Sequence, residues 1–432
     1  MKMTTFQIVF TAACVALVLL GIGVFALFSG LGGKGTVGKV VVWGTVSQDV
    51  MDKLFGQLRP QDNSFHDVVY VQKQTDTYAG DLINAMASGT GPDLVLVSQS
   101  NVVALGDKLL PIPYSTVSQS TFVNSFIDEG QLFLTGQGSL AQPFLIDPLV
   151  MYWNRDLFAT AGIANPPRYW SEFITLAPKM TKIDGAANIT KSTVALGGWS
   201  NILNAKTILS TLFMQAGDPI TGYSETGLLG SYLGTTPQGA TENPAVSALN
   251  FYTGFANPSK TTYSWNRSLP EALDDFSAGD LAVYFGFASD YPTLLSRNPN
   301  LHFGVALLPQ IQGGATQMTF GRIAGLAIPR TAANVAGAAT IAQKLTSQTA
   351  ITALFSATGL PPVRRDVPVD TSQSAAGAVF VQSALVAHSW LDPNPQATNA
   401  IFQNMIESVI SGQSQPDQAV GEAAQTMRSL LQ

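Results

Sequence analysis

A chain of 432 residues that is 46% hydrophobic, with 39 glycines, 24 prolines and one cysteine, is too apolar for disorder and has too few thiols for a disulfide framework or a cysteine-ligated metal site. Only 12% is charged, half the usual ~25%, and 28 Asp+Glu exceed 22 Lys+Arg for a net charge of −6. No basic surplus exists to wrap nucleic acid, and the length favours two or three domains over one core.

From Ile8 to Phe28 the chain reads IVFTAACVALVLLGIGVFALF, with no charge between Lys2 and Lys34. About 20 apolar residues rising ~1.5 Å each cross the ~30 Å hydrocarbon layer. Residues 8–28 are therefore expected as one uncleaved transmembrane helix behind a cytoplasmic end of residues 1–7. This anchor would hold the rest of the chain at the cell membrane, outside the cytoplasm. Thr11-Ala12-Ala13-Cys14 is like a lipoprotein cleavage box, but most of the apolar run follows Cys14 instead of preceding it. Residues 29–38, SGLGGKGTVG, read as a flexible tether. Gly33-x-x-x-x-Gly38-Lys39 has phosphate-loop spacing, yet a membrane span precedes it and Val40 stands where a magnesium-binding hydroxyl is needed. Gly21-x-Gly23-x-x-Ala26 mimics a dinucleotide fingerprint from inside the anchor.

Beyond the tether the pattern alternates. Strands are predicted at Lys39–Trp43, Asp67–Gln72 and Asp93–Val97, with helices at Gln48–Leu58 and Tyr78–Ser88 between them. Such alternation demands parallel pairing through right-handed crossovers, with ligands beyond the carboxyl ends of the strands. Gln142–Asp147 leads into a strand at Leu149–Trp153, and an amphipathic helix is predicted at Trp170–Lys182. A helix at Leu269–Phe276 precedes strands at Leu281–Phe287, Val305–Leu308 and Gly325–Ile328. Helix Val335–Leu345 and a terminal helical stretch from Ala397 to Leu431 close the chain; Gly222–Thr241 is the clearest internal loop.

The order of short motifs resembles the bacterial extracellular solute-binding proteins that include the maltose-binding protein. Its carriers begin with Val41-Val42-Trp43, Ser88-Gly89-x-Gly91-Pro92-Asp93 and Leu110-Pro111-Ile112. Gln142-Pro143-Phe144, Asp147-Pro148-Leu149, Tyr152 to Phe158, and Ala161-Gly162-Ile163 through Pro167, Trp170 and Phe173 continue it. Phe276-x-x-Gly279-Asp280-x-Ala282-Val283, Leu308-Pro309, Gly325 to Ile328 and Leu360-Pro361-x-Val363-Arg364 follow in order. The resemblance implies a periplasmic-binding-protein type II fold: two discontinuous α/β lobes joined by a hinge, closing on a ligand in the cleft. Residues 38–148 and 304–350 would form lobe 1, and 149–303 and 351–432 lobe 2. It also implies a monomer that hands a small solute, most often a sugar, to an ABC transporter permease, without catalysis, cofactor or metal.

A sugar site needs flat apolar faces and hydroxyl-gripping polar groups. Trp199, after Gly197-Gly198 and beside Asn201, matches a family loop that faces the cleft; Phe287 with Ser289 follows a strand where relatives carry a stacking aromatic. Asp147 lies at the predicted hinge, where a family carboxylate meets ligand hydroxyls; a turn aspartate before Pro148 is the alternative. Arg322 could grip a hydroxyl or carboxylate or stand solvated on the surface, and Trp390 could stack on ligand or cap the second lobe. Thr45, Ser98, Gln99 and Asn101 are polar tips of the first and third strands, where ordinary turn chemistry is the competing role. Trp43, Tyr152 and Trp153 read as core. His66, His302 and His388 lack metal spacing, and Asp128-Glu129 and Asp274-Asp275 read as solvated pairs.

Three functions remain open. One is a tethered carbohydrate-binding protein serving an ABC importer. A second is a cleft enzyme on glycosides, which would need two facing carboxylates roughly 5–10 Å apart, with Asp147 and Asp290 as the available couple. The third is a tethered sugar sensor presenting its closed form to a receptor.

Overall fold

Runs of β-branched and aromatic residues form the main strands Val40–Gly44 (β1), Val68–Gln72 (β2), Leu94–Ser98 (β3), Gln142–Asn154 (β4), Ile189–Val194 (β5), Leu281–Phe287 (β6), Phe303–Ala306 (β7) and Thr319–Pro329 (β8). They come from a computed structural model that describes residues 37–224, 227–236, 242–314 and 316–431. The expected membrane helix at 8–28 lies outside the described residues; among those described, no helix is long and apolar enough to cross a membrane. The strands join one mixed sheet in the order β2-β1-β3-β8-β4-β6-β5, with β7 also paired to β4. β1 is parallel to β2 and β3, connected by helices Gln48–Leu58 and Tyr78–Ala87, as the spacing predicts.

Two long strands carry the sheet from one lobe to the other. The sequence breaks the region at Asp147-Pro148, whereas the structure keeps one 13-residue strand, β4. The prolines survive because neither sits where a ladder bond is required. Pro143 falls at a register shift against β8, and at Pro148 β4 changes partner, from β8 (Gly321↔Pro148) to β6 (Phe287↔Leu149). β8 begins six residues before the predicted Gly325, and its Arg322 lies opposite Asp147.

Two apolar cores flank this crossing. The first collects Val40 to Ile146, Ile323 to Val367, and Ala384, Ala387 and Leu391; the second collects Leu149 to Phe320 and Ala376 to Met427, including Trp390. The packing thus draws the later lobe boundaries away from 304–350 and 351–432. Leu308 and Phe320 belong to the second core because β8 enters the first lobe only at Ile323. Ile351, Leu354 and Val363 belong to the first, since helix Gln348–Thr358 packs on helix Gln48–Leu58. A third crossing runs near residues 384–391, where Ala387–His388 pairs with Thr319–Phe320 of β8. The terminal helical stretch is two helices, Pro395–Ile410 and Pro416–Ser429, separated where Gly412 takes a left-handed φ of 75°.

Candidate functional site

Strand directions decide where a ligand can sit. β1 and β3 end at Gly44 and Ser98, and β5 and β6, parallel to one another, end at Val194 and Phe287. Ser98 pairs with Ala324, two residues from Arg322, and Phe287 pairs with Leu149, two residues from Asp147. The carboxyl ends of both lobes' parallel strands therefore converge on the same crossing of β4 and β8, as ligand-binding α/β sheets require.

Asp147 and Arg322 stand opposite one another at that crossing. Asp147 is buried, and Ser289 donates to both its oxygens, the backbone N–H to Oδ1 (3.0 Å) and Oγ to Oδ2 (2.7 Å). Burial pushes its carboxyl up to about 6, against the opposing pull of the Ser289 hydrogen bonds and the Arg322 charge. The Arg322 guanidinium lies over the Phe287 ring, 3.4 Å from its centroid, and its Nη2 makes a long contact to Asn204 Oδ1 at 3.4 Å. Arg322 is open to solvent, yet the protein packed around it lowers its proton affinity, opposed by the charges of Asp147 and Asp290. Asn204 is held by donating to the Phe285 carbonyl at 3.1 Å. Asp290 turns back on its own strand: its Oδ2 accepts from Phe287 N (3.0 Å) and Tyr284 Oη (2.9 Å). That turn needs Gly286, where a Cβ would overlap both the Tyr284 ring and the Asp290 carboxylate.

A groove of about 890 Å³ opens on the second lobe, bounded by Gly198–Ser200 and the two terminal helices. Half-buried Trp199 supplies an aromatic wall, with Asn266, Arg267, Asn404, Glu407 and Gln413 as polar lining. Gly197 makes the turn that presents Trp199: its φ is 95°, and a Cβ there would come within 2.6 Å of Ala256 N. Tyr252 Oη then fixes the next residue by donating to the Gly198 carbonyl at 2.8 Å. The groove is not over Arg322. The segment from Trp199 to Asn204 links them, touching the groove at one end and the guanidinium at the other.

The other expected contacts divide. Thr45, Ser98 and Asn101 are half-buried at the strand ends; Asn101 Oδ1 accepts from Ser98 N at 2.8 Å, and Ser98 Oγ pairs with Ser100 Oγ at 2.8 Å. Gln99, Asn201, Phe287 and Trp390 are each buried and engaged by the fold. Gln99 Oε1 accepts from Ile323 N at 3.1 Å, tying β8 to the tip of β3. Asn201 caps a loop through the Asn266 and Leu269 carbonyls and accepts from Trp265 Nε1 at 3.0 Å. Phe287 is 1% exposed and covered by Arg322, so its face is closed to a sugar. Trp390 is 4% exposed, stacks on Phe402 at 6.0 Å and donates to Ser210 Oγ at 3.1 Å. Sequence reasoning missed Asn204 and Tyr284: Asn204 gains its role only from the tertiary contact with Arg322, and Tyr284 from the turn that brings Asp290 back onto its own strand. It also read Glu129 as solvated, whereas Glu129 is 2% exposed and takes both donors of Ser389.

Known proteins match this architecture. A cyclic α-maltosyl-1,6-maltose binding protein from Arthrobacter globiformis superposes with a TM-score of 0.74 at 17% identity, covering 91% of this chain and 98% of that one. A cyclo/maltodextrin-binding protein complexed with maltotetraose gives 0.73 at 19% identity, over 91% and 97%. A receptor of Streptomyces glaucescens, studied unliganded and with acarbose, gives 0.69 at 16% identity, over 91% and 98%. A binding protein of Brucella abortus is 21% identical over 357 residues, 81% of this chain and 82% of its own. Residues 61–380 match the family model described as bacterial extracellular solute-binding protein, and with that span covering most of the chain, it belongs to the bacterial extracellular solute-binding proteins.

Proposed function

We propose that this protein captures a carbohydrate between its lobes and delivers it to an ABC importer, held at the outer face of the cell membrane by residues 8–28. The observation that carries the reading is the Trp199 aromatic wall, joined through residues 199–204 to the polar crossing of β4 and β8. Trp199 offers a flat face for pyranose C–H surfaces, while Arg322, Asn204 and Ser289 offer donors and acceptors at the crossing. The sugars carried by the structural relatives support the same class. A cleft hydrolase is disfavoured, because Asp290 is tied to Phe287 N and Tyr284 Oη and is not free to face Asp147 across a substrate. Isothermal titration of the detergent-solubilised full chain against mono- and oligosaccharides, neutral and acidic, tests the reading. Binding of at least one sugar in the micromolar range is expected; silence across the panel in both calorimetry and thermal shift rejects it.

A further inference from the structure

Resting on the carbohydrate reading and narrowing it, we propose that Arg322 makes the cleft floor a receptor for a carboxylate, so that the solute is an acidic sugar of the uronate class. The guanidinium carbon lies 3.4 Å from the Phe287 ring centroid, and the side-chain acceptor that its N–H donors meet among the described residues is Asn204 Oδ1, at 3.4 Å. Among the described residues no carboxylate forms an ion pair with it. The two acids nearest in the chain's own design are turned to other donors: Asp147 to Ser289, Asp290 to Tyr284 and Phe287. Both acids offset the Arg322 charge through space, but neither bonds its N–H donors, which are left for a ligand to engage. A planar guanidinium edge matches a planar carboxylate through two parallel hydrogen bonds. A phosphate dianion would bring twice the charge into the field of Asp147 and Asp290, so the singly charged group is the better fit.

The same geometry couples binding to a proton. Around Asp147 stand Arg322 on β8, Asp290 in the turn after β6, and Tyr152 on β4 itself. Arg322 is the only cation among them. A carboxylate seated on Arg322 adds negative charge beside Asp147 and raises that side chain's affinity for a proton, already high through burial. An acidic sugar then binds with uptake of a proton, and its affinity falls as pH rises above about 6. A neutral sugar has no such coupling.

The test is calorimetry of the full chain with galacturonate, digalacturonate and trigalacturonate, each beside its neutral galactose counterpart. Preference for the acidic member by about tenfold or more is expected. Titration at pH 6.5 in buffers of different ionisation enthalpy should report fractional proton uptake for the acidic member alone. Arg322→Gln should collapse the acidic-to-neutral ratio toward one, and Arg322→Lys, which keeps the charge but loses the fork, should fall between. The proton-uptake measurement on the unaltered chain decides the matter if either variant fails to fold. Binding of neutral sugars with no acidic preference and no proton uptake overturns this proposal while leaving carbohydrate capture standing. Binding of neither class overturns this proposal, and carbohydrate capture falls with it only when the wider mono- and oligosaccharide panel is silent as well.

Discussion

Two carboxylates at the crossing are clasped alike, each by one serine's N–H and hydroxyl together. Asp147 holds Ser289, and Glu129 holds Ser389 beside the third crossing. Glu129 is the more enclosed, and burial pushes its carboxyl up to about 8 despite the Ser389 hydrogen bonds. Its folded value lies above the unfolded one of about 4.3, so the folded chain holds the extra proton. The stabilisation is present in full below the unfolded value and is lost as pH rises through about 8. Asp147 adds a slope of the same sign, ending near pH 6. Urea midpoints should therefore fall between pH 5.5 and 8.5, and Glu129→Gln, which cannot ionise, should remove the part of that fall above pH 6.5. An unchanged slope in the variant would show that Glu129 does not titrate there. At the groove, Trp199→Ala should weaken sugar binding by on the order of tenfold while leaving the thermal midpoint close to that of the parent, since Trp199 is only half-buried. A variant that binds as tightly as the parent would remove Trp199 from the site.

At the scale of elements, the crossing depends on strands approaching the third link closely. A Cβ on Gly321 would lie 2.7 Å from Ala387 Cβ and 2.8 Å from Ile146 Cδ1, so a branched side chain must push β8 away from residues 387–388 or from β4. Gly321→Val is expected to cost about 1–3 kcal/mol, read from denaturant unfolding, and to alter sugar affinity because Arg322 is the next residue. Unaltered stability would mean that the crossing accommodates the methyl groups by shifting. Much of this layer was legible in advance. Helices at Gln48–Leu58 and Val335–Leu345 and the strand Leu281–Phe287 have the predicted bounds, because their apolar spacing is clean and Gly or Pro punctuates them. What escaped had no such spacing. Ala205–Gln215 is buried nearly all round, so its sequence carries little amphipathic period, and Ala375–Leu385 is largely alanine and valine. β4 was divided because a proline inside a central strand argues against that strand; only the change of partner at Pro148 makes it acceptable. Within the site, Asp147, Arg322 and Trp199 were visible as residue types at loop or strand ends. Asn204 was not, since its role arises from a contact with Arg322, distant in the chain, and Tyr284 was not, since its bond to Asp290 depends on the turn after β6.

For the molecule as a whole, each core is assembled from separated stretches, and this fixes how it can unfold. The first core needs Ile323 to Val367 as well as Val40 to Ile146, and β8 stands between β3 and β4 in the sheet. Residues 37–148 alone would leave the edge of β3 and the first half of β4 without their shared partner, and would expose the faces of Leu94–Val97 and Phe144–Ile146 that β8 and helix Val335–Leu345 cover. Exposed strand edges of that kind are unstable alone and prone to pairing between chains. The fragment is thus expected to lack a cooperative thermal transition and to show little amide-exchange protection, and adding residues 319–367 in trans should restore both. Cooperative unfolding of the fragment by itself would mean that the first lobe closes its core without β8. In the complete chain, the three crossings tie the cores together, and a ligand reaching from Arg322 on the second lobe to the strand ends at Thr45 and Ser98 on the first binds only when both lobes are folded. Ligand free energy then appears as RT ln(1 + [L]/Kd) in the first transition that breaks the site, about 2.7 kcal/mol at a hundredfold excess over Kd. Calorimetry of the full chain should show the lower of the two lobes' transitions moving upward toward the other as sugar is added. Movement of the higher transition while the lower stays fixed would place the ligand within a single lobe, away from the crossing of β4 and β8.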